Sequence, residues 1–188
     1  VQSFYNAQEI FQTIDSEFFT KVAEDIKLDF DKIDLTTLIR NICENLSAQL
    51  LEKKVEVEIE EKMILPFADK NRVYQVFENL VINALKYACD GNDRRIHFGS
   101  VLMENEVRVF VKDHGPGIAK EYHTKIFGLF QRLESDNRGT GVGLTIVSRI
   151  MQLHEGRVWV ESELGQGATF WLSFPKGPPL HLGGIYEQ

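Results

Sequence analysis

The stretch QVFENLVINALKYA, Gln75–Ala88, decides how the rest of the chain is read. At about 100° per helical residue, Asn79, Asn83, Lys86 and Tyr87 fall within roughly a 100° arc, and Phe77, Leu80, Val81, Ala84 and Ala88 fill the opposite side. One side is therefore a core face. The other carries two carboxamides one turn apart beside a lysine and a tyrosine, where a solvated face more often carries Glu and Lys. Such a face suits ligand contacts, although alone it fits a plain amphipathic helix equally well. Asp69 is the expected N-cap of this helix, which should run from about Lys70 to Ala88.

Upstream, Asp34 is a plausible cap for one helix from about Leu35 to Lys53, with Leu38, Ile42, Leu46 and Leu50 on one face. Val55, Val57 and Ile59 alternate with glutamates as in a half-buried strand. Downstream the period changes. Ile96 and Phe98, then Val107, Val109 and Val111, predict an antiparallel hairpin turning near Glu104 and Asn105. A glycine-rich polar region from Asp113 to Gly143 leads into a helix ending near His154, followed by strands at Val158–Val160 and Thr169–Phe174. Helices and strands mix without βαβ alternation. The expected class is thus α+β: a two-layer sandwich in which three main helices cover one face of a mixed, mostly antiparallel sheet.

Two glycine-bearing segments flank the last helix. In VKDHGPGIA, Val111–Ala119, an aspartate ends a strand just before two glycines. Its carboxylate can accept a hydrogen bond from an exocyclic amine such as that of adenine, while an ordinary turn would use the same residues. In RGTGVGLTIV, Arg138–Val147, three alternate glycines open a helix whose first-turn amides can bind phosphate oxygens. This is neither a Walker loop, since no G-K-[ST] closes it, nor a dinucleotide fingerprint, since it does not follow a strand.

In order and spacing these pieces resemble the catalytic ATPase domain of sensor histidine kinases, within the gyrase, chaperone, kinase and mismatch-repair superfamily and its Bergerat-type fold. The resemblance spans about Asp34 to Pro175. NLVINALKYA is similar to the N box, DHGPGI to the first glycine box, IFGLFQRL to the F box, GTGVGLTIV to the second glycine box and GQGATF to a final glycine motif. FQRL with a short lid before GTGVGL is similar to phytochrome-like histidine kinases. The resemblance implies ATP and Mg²⁺ as cofactors, with Asn83 holding the metal, Lys86 meeting a phosphate and Tyr87 packing on adenine. Asp113 would accept the adenine amine, Gly115 and Gly117 would shape the pocket, and Thr169 would support it. Amides around Gly141 and Gly143 would approach the phosphates, Arg132 would steady the γ-phosphate, and Asn79 would be a further metal or phosphate contact. Ile118, Phe130, Gly139 and Leu144 complete the expected nucleotide-contacting set. Residues 128–138 would form the ATP lid.

ATP-hydrolysing members of the superfamily usually carry a glutamate base one turn before the metal-binding asparagine; here that position is Asn79, and Glu78 points about 100° away. A kinase acting on a separate histidine is therefore expected, with positioning and charge neutralisation carrying the transfer. A superfamily ATPase and a degenerate regulatory nucleotide module are the alternatives. All five histidines lie at or after position 97, so none suits an upstream phosphoacceptor helix. His154 aligns with a helix-ending structural motif, whereas His114 and His123 are expected to be exposed.

The chain of 188 residues is 43% hydrophobic, enough for one domain with a helical appendage. A net charge of -7 and a pI near 5.3, without a dense basic cluster, argue against nucleic acid. Cys43 and Cys89 sit within helix-like segments and read as reduced thiols of a cytoplasmic protein. No apolar run is long enough to span a membrane, so membrane contact by this piece is not expected. The chain opens at Val1 and not at a methionine, so a piece of a longer protein is expected. Residues 1–28, with an apolar stripe at Ile10, Ile14, Phe18 and Val22, resemble the end of a dimerisation helix; 29–175 would be the ATP-binding domain and 176–188 a tail. Implied partners are the dimerisation and phosphotransfer helices and a response regulator receiver domain, with a homodimeric full-length protein.

Overall fold

A computed structural model describes residues 28–64, 66–87, 93–128 and 141–177. The stripe in 1–27, the tail from 178 onward, Cys89, the lid residues Phe130, Arg132 and Leu133, and Gly139 after the lid lie outside the described residues. The elements are β1 (Phe30–Lys32), α1 (Leu35–Asn45), α2 (Ser47–Lys53), β2 (Glu56–Ile59), β3 (Phe67–Asp69), α3 (Lys70–Tyr87), β4 (Arg95–Leu102), β5 (Glu106–Asp113), α4 (Gly143–Leu153), β6 (Arg157–Ser162) and β7 (Ala168–Pro175). Two short 3₁₀ turns, Lys120–Tyr122 and Lys125–Phe127, lie between β5 and α4.

The main sheet has the order β2-β4-β5-β7-β6, parallel at β2/β4 and antiparallel elsewhere. On β5 the pleat alternates cleanly: Val107, Val109 and Val111 are buried toward the helices and Arg108, Phe110 and Lys112 face the other way. The core joins these valines to Phe98 and Leu172 of neighbouring strands and to Ile39, Ile42, Phe77, Leu80, Val147 and Met151 of the helices. Each such side chain contributes about 1.5–3 kcal/mol by leaving water. The expected two-layer α+β architecture is thus observed, with the hairpin and the late strand pair in their expected places.

Both predicted caps form. Asp34 Oδ1 accepts from Thr37 N at 3.0 Å, and Asp69 Oδ1 accepts from Asn71 N and Arg72 N at 2.9 and 3.0 Å. The helix expected as one piece from Leu35 to Lys53 is instead two. Leu46 leaves helical values, at φ -98° and ψ 9°, although its N–H still bonds Ile42 O. After the break only Leu50 is buried, and Lys53 Nζ donates to Leu85 O at 2.7 Å, so the second piece answers to α3 and not to the α1 register.

A second, two-stranded sheet, β1 with β3, was not anticipated. His154 locks it to the main body. Its Nε2 accepts from Asp69 N at 3.0 Å, its Nδ1 donates to Ile150 O at 2.7 Å, and its ring lies between Phe30 and Phe174. This is the expected structural role, and both ring nitrogens are used in the neutral form. Burial pushes the pKa of His154 down; the Ile150 carbonyl and Asp69 oppose that shift, while Arg72 adds to it. Below its ordinary value of 6.5 the unfolded chain binds the proton more readily than the folded one, so His154's contribution is full above that pH and is lost as pH falls. The urea midpoint is expected to fall between pH 7 and 5.5. His154→Gln should flatten that dependence while costing on the order of 2–4 kcal/mol at pH 7; an unchanged pH slope in the variant would contradict the assignment.

Candidate functional site

The inward register of β5 runs Val107, Val109, Val111 and then Asp113, which places a carboxylate at the fourth core-facing position of the central strand. Asp113 is only 6% exposed. Burial pushes its carboxyl above the usual carboxylate range, against backbone hydrogen bonds from Gly115 and Ala168 and the nearby His114; the Gly115 N to Oδ1 distance is 2.9 Å. A carboxylate kept at that cost, with acceptor capacity remaining, is suited to receive a donor such as an amine.

Close approaches at glycines hold the separated motifs together around this strand end and α3. A Cβ at Gly115 would lie 2.9 Å from Tyr87 O, so the end of α3 rests on the loop after β5. One at Gly143 would lie 2.8 Å from Asn79 Oδ1, so the first residue of α4 abuts the polar face of α3. One at Gly167 would overlap Asp113 O at 2.1 Å, and one at Gly117 would overlap Glu163 O at 2.0 Å; both residues also take positive φ, 78° and 75°. Any side chain at these last two would meet backbone, which cannot rotate away.

Asn79, Asn83, Lys86 and Tyr87 are all half-buried on α3, at the positions the helical wheel assigns to one side. Asn79 Nδ2 donates to Gln75 O at 2.8 Å, leaving Oδ1 turned toward Gly143. Helix α4 begins at Gly143 with no side-chain cap from Val142 and no acidic residue in its first turn, so its leading amides are suited to an anion. Ile118 and Leu144 pack partly against the core, Gly141 sits at φ 73° just before α4, and Phe127 of the F box meets Phe170 edge-on at 6.4 Å. Among the described residues no cluster of three His, Cys, Asp or Glu side chains could hold a metal by itself. A cation held by the Asn83 carboxamide together with ligand phosphates fits this donor set, since magnesium keeps waters and phosphate oxygens as ligands.

Thr169 is not brought to the site. It pairs with Lys112, on the sheet face opposite Asp113; the residue beside Asp113 on the site face is Ala168. The alternation of Phe170, Leu172 and Phe174 already carried that signal. His114 and His123 are not exposed but half-buried: His114 Nδ1 lies 3.5 Å from Asp93 Oδ2, and His123 Nε2 bonds Ile118 O at 3.0 Å. Cys43 is half-buried, and burial pushes its thiol up to about 11, in keeping with an unreactive thiol.

Because burial disfavours the ionised carboxyl, the folded protein holds a proton on Asp113 more readily than the unfolded chain, and stability from this group rises as pH falls toward 4. At pH 7, Asp113→Asn is therefore expected to leave the thermal midpoint unchanged or raise it by a few degrees. A fall of more than about 5 °C would mean that the carboxylate is a folding element and not a recognition group.

The family model described as "Histidine kinase-, DNA gyrase B-, and HSP90-like ATPase" matches residues 68–178. Cyanobacterial phytochrome A of Nostoc sp. is 41% identical over 112 residues, covering 58% of this chain and 14% of its own length. Full-length ShkA, solved in complex with AMPPNP, superposes with a TM-score of 0.68 at 31% identity, covering 82% of this chain and 33% of its own. Histidine kinase ThkA, solved in complex with the response regulator protein TrrA, gives a TM-score of 0.67 at 28% identity over 93% of this chain and 49% of its own. The catalytic domain of ThkA alone is covered completely, at 31% identity and a TM-score of 0.68. With the N-box face, the two glycine loops and the buried aspartate assembled as they are, the chain belongs to the histidine kinase-, DNA gyrase B- and HSP90-like ATPase family.

Proposed function

We propose that this chain is the ATP-binding catalytic domain of a two-component sensor histidine kinase, presenting the γ-phosphoryl group of ATP to a histidine on dimerisation and phosphotransfer helices for relay to a response regulator aspartate. The observation that carries this reading is the assembly of the motifs on α3 and Asp113: Gly115 packs against Tyr87 O and Asp113 Oδ1, Gly167 against Asp113 O, and Gly143 against Asn79 Oδ1. The similarity to ShkA, solved with AMPPNP, and to ThkA, solved with a response regulator, supports it.

In this reading Asp113 accepts the adenine amine while Gly115, Gly117 and Ile118 shape the base pocket beside Tyr87. Lys86 and the first amides of α4, around Gly141, Gly143 and Leu144, receive the phosphates, Arg132 steadies the γ-phosphate, and Phe130 and Gly139 are further nucleotide contacts. Asn83 would hold Mg²⁺, which would supply neutralisation of phosphate charge. Transfer breaks the bond between the γ-phosphorus and the ADP oxygen and forms a phosphorus–nitrogen bond on the acceptor imidazole, whose ring proton leaves. Asn79 has no basic group with which to take a proton from water, so the chain positions ATP without activating a nucleophile of its own. Asn79 would be a further metal or phosphate contact: its Oδ1, facing the start of α4, suits a metal ion or its waters, whereas a phosphate would need the Nδ2 that donates to Gln75 O.

Residues 29–175 would form the catalytic unit, 1–28 the end of a dimerisation helix and 176–188 a tail, within a homodimeric full-length kinase acting in the cytoplasm. No helix of the described residues is long and apolar enough to cross a membrane. Phosphate release by the chain alone is expected to stay near background. Adding a fragment that carries the dimerisation and phosphotransfer helices should yield acid-labile label on its histidine, lowered at least 100-fold by Asn83→Asp. Steady phosphate release, indifferent to that fragment, would favour the ATPase alternative.

A further inference from the structure

Ser162 is the last residue of β6, and it lies in one transverse row with Ala168 of β7 and Asp113 of β5. Residues paired across strands share a face, so the Ser162 hydroxyl is on the Asp113 side of the sheet, two strand spacings away, with only an alanine methyl between. The hydroxyl is doubly engaged. It accepts from Ile118 N at 2.8 Å and donates to Gly167 O at 2.6 Å. Ile118 closes the loop that begins at Asp113, and Gly167 is the residue pressed against the Asp113 carbonyl. Around it the same two loops meet again at Gly165 N to Pro116 O, 2.7 Å, and at Gly117 against Glu163 O.

We propose that Ser162 is a positioning residue of the base-binding side of the site: its hydroxyl clasps the loop after β5 to the β6–β7 turn and so fixes Ile118 and Gly117 relative to the Asp113 carboxylate. The inference rests on the reading of Asp113 as the adenine acceptor. It follows from the chemistry of the pair, because a hydroxyl both accepts and donates at one atom and so bridges a backbone N–H and a backbone carbonyl within one short side chain. Without it both are left to compete for water in a half-buried setting, and the loop carrying Ile118 loses its link to the turn.

The test is the affinity of the whole chain for Mg-ADP, measured at a temperature where every variant is folded. Ser162→Ala is expected to weaken binding about tenfold, and Ser162→Thr, which keeps the hydroxyl, to stay within about threefold of the parent. Asp113→Asn is measured beside them. If it loses Mg-ADP while Ser162→Ala binds within about twofold of the parent, the clasp is overturned and the adenine site stands. If Asp113→Asn binds as the parent does, the underlying reading fails and takes the clasp with it. Should Ser162→Ala not fold, amide exchange in the unmodified chain decides: the Ile118 amide is expected to be protected and further slowed by Mg-ADP, and unprotected exchange with ligand bound overturns the proposal.

Discussion

A carboxylate stands where the core asks for an aliphatic side chain, and the architecture around the site follows from that. Asp113 continues the inward row of Val107, Val109 and Val111, so the strand that centres the sheet also aims its last side chain under the helical layer. Burying it raises its pKa, and backbone donors at Gly115 and Ala168, with the nearby His114, oppose that shift. Such donors require the chain to fold tightly back over the strand end. That is why Gly117 and Gly167 lie against carbonyl oxygens where no Cβ fits. The loop geometry and the recognition group are thus one feature.

Helix α3 joins that feature to the rest. Its apolar side, Val73, Phe77, Leu80 and Ala84, is fixed by the sheet, which leaves no rotational freedom for Asn79, Asn83, Lys86 and Tyr87 on the other side. The close packing of Gly143 on Asn79 then sets where α4 starts and where its uncapped amides lie. Burial of one helical stripe consequently determines the separation between Asp113 and the start of α4, the base and phosphate ends of the proposed site. Polar positioning and not acid–base chemistry is what this arrangement offers.

Periodicity made most of the fold legible. The 3.6-residue repeat of α3 and the two-residue repeats of β5 and β7 are long enough to average over exceptions, and Asp34 and Asp69 announced the starts of α1 and α3. Strands β1 and β3 have three residues each, too few for a pattern, and His154 holds β3 from 85 positions away at Asp69 N and packs on Phe30 of β1. The break at Leu46 was hidden because the apolar repeat continues across it to Leu50. Thr169 was matched by motif, whereas the register of β7 gives the site face to Ala168. Ser162 carried no signal of its own, since a lone serine at a strand end becomes legible only once Ile118 N and Gly167 O are seen on either side of it.

Selectivity of Asp113 for an adenine amine is the property on which the proposed function depends most directly. Calorimetric titration of the chain with Mg²⁺ and a non-hydrolysable ATP analogue, run beside a GTP analogue and beside Asp113→Asn, measures it. Saturable binding of the adenine analogue, with little binding of the guanine analogue and a loss of at least tenfold in the variant, is the predicted result. Equal binding of both analogues, or undiminished affinity in Asp113→Asn, would contradict it.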